Sequence, residues 1–284
     1  MKLGIISFNT EYSIQADVFA KEAEARGFES VWFPEHTHIP ASRKTEWPAG
    51  GELPKEYVHM SDPFVSAAAA AVTTSDIIIG TGVSLIAQHE PIALAKTIAS
   101  VDRLANGRFE LGIGAGWNQD EMENHGVVYK DRWKVTIEHL EAMQALWTTE
   151  ESSYAGRYVN FDKVWSYPKP LSDPHPPIIL GTLASEFGRK RAAKYANGWI
   201  PVGSLHEDLP SDIADMHAKL REEGRDPANF PISIFDIFET PFDEIKRLSQ
   251  IEGVTRAIPR CPTEDTNTVL KWMDDYARLI DEVA

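Results

Sequence analysis

The sequence predicts an α/β fold, a (β/α)8 TIM barrel with an insertion before strand 5. Three observations carry that reading. Short β-branched runs alternate with longer helical stretches, the pattern of parallel strands joined by crossover helices. Eight such pairs can be counted, which is the repeat number of a closed barrel. No composition shift or Gly/Ser-rich linker divides the 284 residues, so one barrel domain over residues 1–284 accounts for the length.

Leu3 to Ser7 is the first strand, followed by a helix that Ser13 can cap and Gly27 can end. Ser30 to Phe33 is the second. A long polar loop then reaches Asp62-Pro63, an N-cap with proline at the first helical position, which opens an alanine-rich helix. Ile77 to Ser84 is the third strand; Glu90-Pro91 opens the next helix by the same device and Asn106-Gly107 closes it. The fourth strand, Arg108 to Gly112, leads into a helical region ending near Trp147. From Thr148 to Pro177 the rhythm breaks. Tyr154 to Tyr158 has the pattern of a hairpin turn, and five prolines between Pro168 and Pro177 bar a helix, which marks an insertion. Strands five to eight are Ile178 to Gly181, Gly198 to Val202, Ile232 to Ile237 and Val254 to Pro259. Their helices are Ser185 to Ala196, His206 to Glu223, one after Thr240-Pro241, and one from Thr266 to the end.

The composition excludes several classes. With 28 basic and 43 acidic residues the formal charge is −15, which repels nucleic acid unless a basic groove overrides it. The densest basic cluster is only Arg189, Lys190 and Arg191. The single cysteine, Cys261, allows no internal disulfide and no zinc ribbon, so a reducing, cytoplasmic setting is expected. The N-terminal segment lacks the apolar core of a signal peptide. The uncharged stretches Pro63 to Ser75 and Ile77 to Gln88 are too short to span a bilayer, so no membrane role is expected.

In a barrel, chemistry sits at the carboxyl ends of the strands. The second strand ends in Glu35, His36, Thr37 and His38, an acid and two imidazoles at the mouth. Histidine titrates near neutrality and can give or take a proton, and a neighbouring carboxylate would favour its charged form. His36 and His38 also have the spacing of a metal pair, but strands five, six and eight end without histidine or carboxylate, so no metal is expected. Two glycines interrupt the third strand, Gly80 and Gly82, and Gly112, Gly114 and Gly116 follow on its neighbour. Glycine inside a strand marks either tight packing or close approach by a ligand, and a flat aromatic cofactor needs such a shelf. The latter run lacks the last glycine of a dinucleotide fingerprint and follows the fourth strand rather than the first, against a Rossmann site. Ser185, at a helix start after Gly181-Thr182, suits a phosphate.

Taken in order, Val31 to Pro40, Asp102 to Phe109, Leu111 to Trp117, Gly156 to Tyr158, Pro168 to Pro170, Pro176 to Gly181 and Asn197 to Trp199 resemble the luciferase-like monooxygenase superfamily, and within it the branch using the deazaflavin coenzyme F420. The resemblance implies a (β/α)8 barrel and an oxidoreductase transferring a hydride between F420 and a small organic substrate, the alternative being an FMN-dependent monooxygenase. It implies catalytic roles for His36, beside the reactive carbon, and for its acidic neighbour Glu35. It implies a bulge with a non-proline cis peptide at Gly82-Val83, continuing to Ser84, behind the cofactor ring. Gly114, Ala115 and Gly116 correspond to the cofactor shelf, and Gly181, Thr182 and Ser185 to the surroundings of its phosphate. Two departures bear on specificity: Trp117 stands where the family's sugar-phosphate dehydrogenases place a glutamate, and no arginine stands near Ala115, where true luciferases hold the FMN phosphate. The latter tilts the expectation towards F420. A homodimer is the expected assembly, and Arg43, Lys44 and the Arg189 to Arg191 cluster are the first cations to inspect for an anionic cofactor.

Overall fold

Eight parallel strands stand side by side in the computed structural model, which describes residues 1–182 and 185–284. In chain order the strands are β1 (Lys2–Ile6), β2 (Ser30–Phe33), β3 (Ile78–Thr81), β4 (Phe109–Ile113), β5 (Ser152–Ala155), β6 (Asn160–Val164), β7 (Ile178–Leu180), β8 (Gly198–Trp199), β9 (Ser233–Phe235) and β10 (Arg256–Ile258). The antiparallel pair β5–β6 is the hairpin of the expected insertion, and the other eight form the barrel in the order β8-β7-β4-β3-β2-β1-β10-β9. Parallel bridges Trp199↔Ile232 and Val202↔Phe235 join the two ends of that order and close the ring.

The helices are α1 (Ala16–Ala25), α2 (Glu56–His59), α3 (Pro63–Thr73), α4 (Pro91–Leu104), α5 (Gln119–Asn124), α6 (Arg132–Thr148), α7 (Glu186–Tyr195), α8 (Leu209–Glu222), α9 (Phe242–Ser249), α10 (Thr266–Ala277) and α11 (Ile280–Val283). Their apolar faces and the outward residues of the strands make the main core, which includes Phe19, Phe33, Ile98, Leu140 and Met216. Asp62 and Glu90 cap α3 and α4, each accepting two backbone amides, with proline next in sequence as the pattern requires. The expected caps of two other helices differ. Ser13 accepts from the Thr10 amide and stabilises a turn, while α1 begins at Ala16 without a side-chain cap. Thr240 does not cap α9, because Pro241 itself occupies the boundary position.

The barrel interior is layered by chemistry. At its amino-terminal end the Arg256 guanidinium grips Glu29 at 2.7 Å through both nitrogen–oxygen pairs, reaches Glu110 at 2.9 Å, and stands over the Trp32 ring. Trp32 is fully buried and donates to Ser30 at 2.9 Å. A Cβ on Gly80 would lie 2.3 Å from the Trp32 ring, and one on Gly112 would lie 1.8 Å from the Thr81 carbonyl. These two glycines therefore serve packing inside the barrel and not a cofactor shelf, a correction to the ligand reading of the third strand. The glycines still open to the shelf reading lie one step further along the chain, towards the carboxyl ends.

Candidate active site

Beyond Thr81 the third strand leaves regular pairing. The Gly82–Val83 peptide bond is cis, and the chain rejoins β4 through Ser84, whose amide donates to the Gly112 carbonyl and whose carbonyl accepts from Gly114. Val83 then stands against two backbone surfaces. A Cβ on Gly114 would come within 2.6 Å of one Val83 methyl, and a Cβ on Gly181 within 2.9 Å of the other. Gly82, Val83, Ser84, Gly114 and Gly181 are thus one wall. Ala115 is buried behind it, and Gly116 turns the chain with φ +73° towards Trp117.

Glu35 supports this wall rather than His36. Its carboxylate is 3 % exposed as a residue and accepts from the Ser84 hydroxyl at 2.7 Å, the Leu85 amide at 2.6 Å and His89 Nε2 at 2.6 Å. Burial alone would raise the carboxyl pKa, but His89 and the two neutral donors outweigh it and hold Glu35 below its ordinary value. His89 is raised in turn: burial opposes its charge and the Glu35 carboxylate overcomes that cost. The expectation that Glu35 pairs with His36 is therefore corrected. The two residues follow the end of β2, and their side chains take different partners, Ser84, Leu85 and His89 for Glu35 and Glu121 for His36.

The carboxylate that meets His36 is Glu121, from α5. Its Oε2 lies 2.6 Å from His36 Nδ1, and its side chain is wholly buried. The indole of Trp117 donates to His36 Nε2 at 3.2 Å. An indole nitrogen can only donate, so Nε2 carries the lone pair and Nδ1 carries the proton given to Glu121. His36 is thereby held as the neutral Nδ1–H tautomer with its basic nitrogen towards Trp117. Aromatic rings enclose it: Tyr57 lies 5.3 Å away and Trp117 5.5 Å away, and Trp47 packs on Tyr57. The long loop after β2 is pinned over this box by Asp120, which accepts from the Lys44 and Thr45 amides and the Thr45 hydroxyl. Arg43 stands 5.7 Å from the Trp117 ring.

Sequence reasoning missed Glu121 for a physical reason. Asn118 and Glu121 have the spacing of a capping box, in which the acid closes back on the helix start. Asn118 does accept from the Glu121 amide, but the carboxylate turns to His36 instead. The Asn118 side-chain nitrogen is left buried with no partner.

The expected phosphate region is built from α7. Ser185 caps it by accepting from the Gly188 amide at 3.0 Å, and Thr182 is buried, with its hydroxyl accepting from the Trp199 indole at 3.0 Å. Of the basic cluster there, Arg189 is taken by Asp212 and Asp215 and Lys190 by Glu186. Arg191 has no carboxylate partner among the described residues; it lies over Trp133, and its pKa is lowered first by burial and then by the Arg132 guanidinium. Arg132, at the start of α6, likewise has no ion pair among the described residues, and its Nε is buried without a partner. Arg132 lies over the Tyr129 ring and Arg191 over Trp133, and the two half-buried positive charges disfavour one another, a repulsion that an anion would relieve. Arg132 carried no sequence signal, since its charge bears on Arg191 from a distant part of the sequence.

Of the residues not drawn into this site, Cys261 is fully buried, and burial pushes its thiol up to about 12. His38 is held by Thr37 and Asn124, and no group of three or more His, Cys, Asp or Glu among the described residues is arranged to hold a metal. No helix among the described residues is long and apolar enough to cross a membrane.

Comparison with known proteins places the whole chain. The family model described as luciferase-like monooxygenase matches residues 15–238. An uncharacterized protein of Mycobacterium tuberculosis is 36 % identical over 286 aligned residues, covering 98 % of each chain. The F420-dependent hydroxymycolic acid dehydrogenase of the same organism is 28 % identical over 211 residues, 73 % of this chain and 54 % of that one. Among solved structures, the monooxygenase RslO1 from Streptomyces bottropensis superposes over 100 % of both chains with a TM-score of 0.81 at 19 % identity, a likeness of fold.

Proposed function

From the premise that this chain belongs to the luciferase-like monooxygenase family, we propose that it is a coenzyme F420-dependent oxidoreductase that moves a hydride between the deazaflavin and a small organic substrate bearing a hydroxyl or carbonyl group. The observation that carries the reading is the state of His36. A neutral imidazole, oriented by a buried carboxylate and set in an aromatic box, is an acid/base poised for a hydroxyl proton. When bound, the deazaflavin supplies the hydride chemistry; the protein supplies position, a dry site and the proton.

The residues present fit such a cofactor. Gly114 and Gly181 bring bare backbone up to Val83, the orphaned Asn118 nitrogen offers a buried donor, and Arg132, Arg191 and the α7 start offer an anion site. Trp117, withdrawing from His36 Nε2, would free the lone pair for the substrate hydroxyl. The dehydrogenase relative, named for a hydroxyl-bearing substrate and for F420, supports the same choice.

One observation favours the alternative, an FMN-dependent monooxygenase: two guanidiniums without carboxylate partners among the described residues, Arg132 and Arg191, suit a compact phosphate monoester. Titration of the purified protein with F420 and with FMN, followed by fluorescence, separates the readings. F420 binding with FMN weaker by tenfold or more, and F420 reduction by a secondary-alcohol panel, is the expected result. Tight FMN binding without F420 binding overturns it.

A further inference from the structure

The hydrogen bonds around His36 do not stop at Glu121. The second carboxylate oxygen, Oε1, accepts from the Thr37 amide at 3.1 Å and lies 3.4 Å from the Thr37 hydroxyl. That hydroxyl sits 2.7 Å from His125 Nε2 and 3.0 Å from His38 Nδ1, and His38 Nε2 is 3.0 Å from the Asn124 side-chain nitrogen. The direction of this second chain follows from its end. An amide nitrogen only donates, so His38 Nε2 accepts and His38 Nδ1–H donates to the Thr37 oxygen. The Thr37 O–H is then free to donate to His125 Nε2, and its second lone pair is open to Glu121. Burial changes steeply along the path, from a wholly buried Glu121 to exposed Thr37 and His125.

We propose that Glu121, Thr37 and His125 form an outward proton relay that carries the proton of the reaction from His36 to solvent. A proton arriving at His36 Nε2 is matched by release of the Nδ1 proton to Glu121 Oε2. A half-turn of the Glu121 carboxyl about Cγ–Cδ then brings the protonated oxygen to the Thr37 side, where the acid donates to the Thr37 oxygen while the Thr37 proton moves to His125 Nε2. His125, as imidazolium, gives its Nδ1 proton to water, and one proton has entered and one has left. The relay runs backwards for the reverse reaction. These are positioning and relay residues; only His36 is placed to touch the substrate, and its assignment rests on the function proposed above.

The surrounding charges suit the direction. His125 is lowered by burial and then by His38, against the pull of Glu121, so it begins neutral and able to accept. The more distant charges facing it, Glu35 and His89, are already paired with one another. On the far side, Tyr57 and Trp117 flank His36, and Arg43 stands over Trp117.

A test independent of turnover is the solvent exchange of the His36 Nδ1–H, followed by NMR on the full-length protein labelled with 15N-histidine. The relay predicts that Thr37→Val and His125→Ala each slow this exchange at least tenfold, with the amide spectrum and melting temperature kept. Unchanged exchange in both overturns it; His125 is exposed, so His125→Ala decides alone if Thr37→Val does not fold. In turnover with F420 and 2-propanol or longer secondary alcohols, His125→Ala is expected to lower kcat at least tenfold in dilute buffer, leave KM within twofold, and recover with added imidazole. A wild-type protein that reduces no F420 sinks the proposed function, while the exchange measurement still decides the relay.

Discussion

Glu35 and His89 carry opposite charges in the folded protein, and each moves the other's titration. The Glu35 contribution is complete above the ordinary carboxylate value of 4.5 and is lost as pH falls through its lowered folded pKa. The His89 contribution is complete below the ordinary imidazole value of 6.5 and is lost as pH rises through its raised folded pKa. His89→Gln should therefore cost most between those two values, about 1.5–3 kcal/mol for a charged hydrogen bond. The difference in melting temperature from wild type should shrink towards alkaline pH; a difference that stays flat through that range contradicts the pairing. Arg256 makes a sharper case. Arg256→Met strands Glu29 and Glu110 in the barrel floor and should cost about 3–5 kcal/mol in urea unfolding. A loss below about 1 kcal/mol would mean that water reaches both carboxylates. At this scale the sequence showed types but not pairings. His36 and Glu35 were legible as chemistry at a strand end, whereas Glu121 meets His36 across 85 residues of chain and drew no notice in the sequence.

Elements were more legible because their signals are local. Asp62-Pro63 and Glu90-Pro91 each placed a helix start correctly, since the cap and the proline act within one turn. Asp62→Ala should lower stability by about 1 kcal/mol by leaving the Phe64 and Val65 amides unpaired; Asp62→Asn should recover most of it. Strand ends were less legible. The third strand was expected to run to Ser84 but stops at Thr81, because Gly82–Val83 leaves the ladder and only a single bridge at Ser84 returns to it. The sixth stops at Trp199 for a related reason: closure towards β9 is made by isolated bridges rather than continuous pairing. The wall that results tolerates no extra atom at Gly114, where a Cβ would strike Val83. Gly114→Ala should cost about 1–3 kcal/mol of overpacking, and it should weaken cofactor binding more than Ala115→Gly does, a ranking that equilibrium titration can reverse.

At the scale of the molecule, the eight-strand count and the insertion were legible because repetition survives local error. Surface chemistry was not, since it depends on which helices meet. Val65 and Val72 on α3 are two-thirds exposed, and we propose that a second copy covers them; a dimer in sedimentation that Val65→Glu turns into a monomer is the expected result, and a wild-type monomer overturns it. The net charge of −15 poses a different question, because the proposed cofactor is also anionic. Two fields compete. The bulk field repels a polyanion at range, while Arg132 and Arg191 would attract its phosphate at short range, and salt weakens both, with a screening length of about 10 Å at about 0.1 M. Removing one cation should therefore change the sign of the salt response as well as the affinity. Wild-type binding should weaken from about 50 to 500 mM KCl, because contact between unlike charges dominates. Arg191→Gln should bind about tenfold more weakly, roughly 1.4 kcal/mol, and then hold steady or strengthen with salt, because Arg132 alone no longer outweighs the bulk repulsion. Parallel salt slopes in the two proteins would place the phosphate elsewhere.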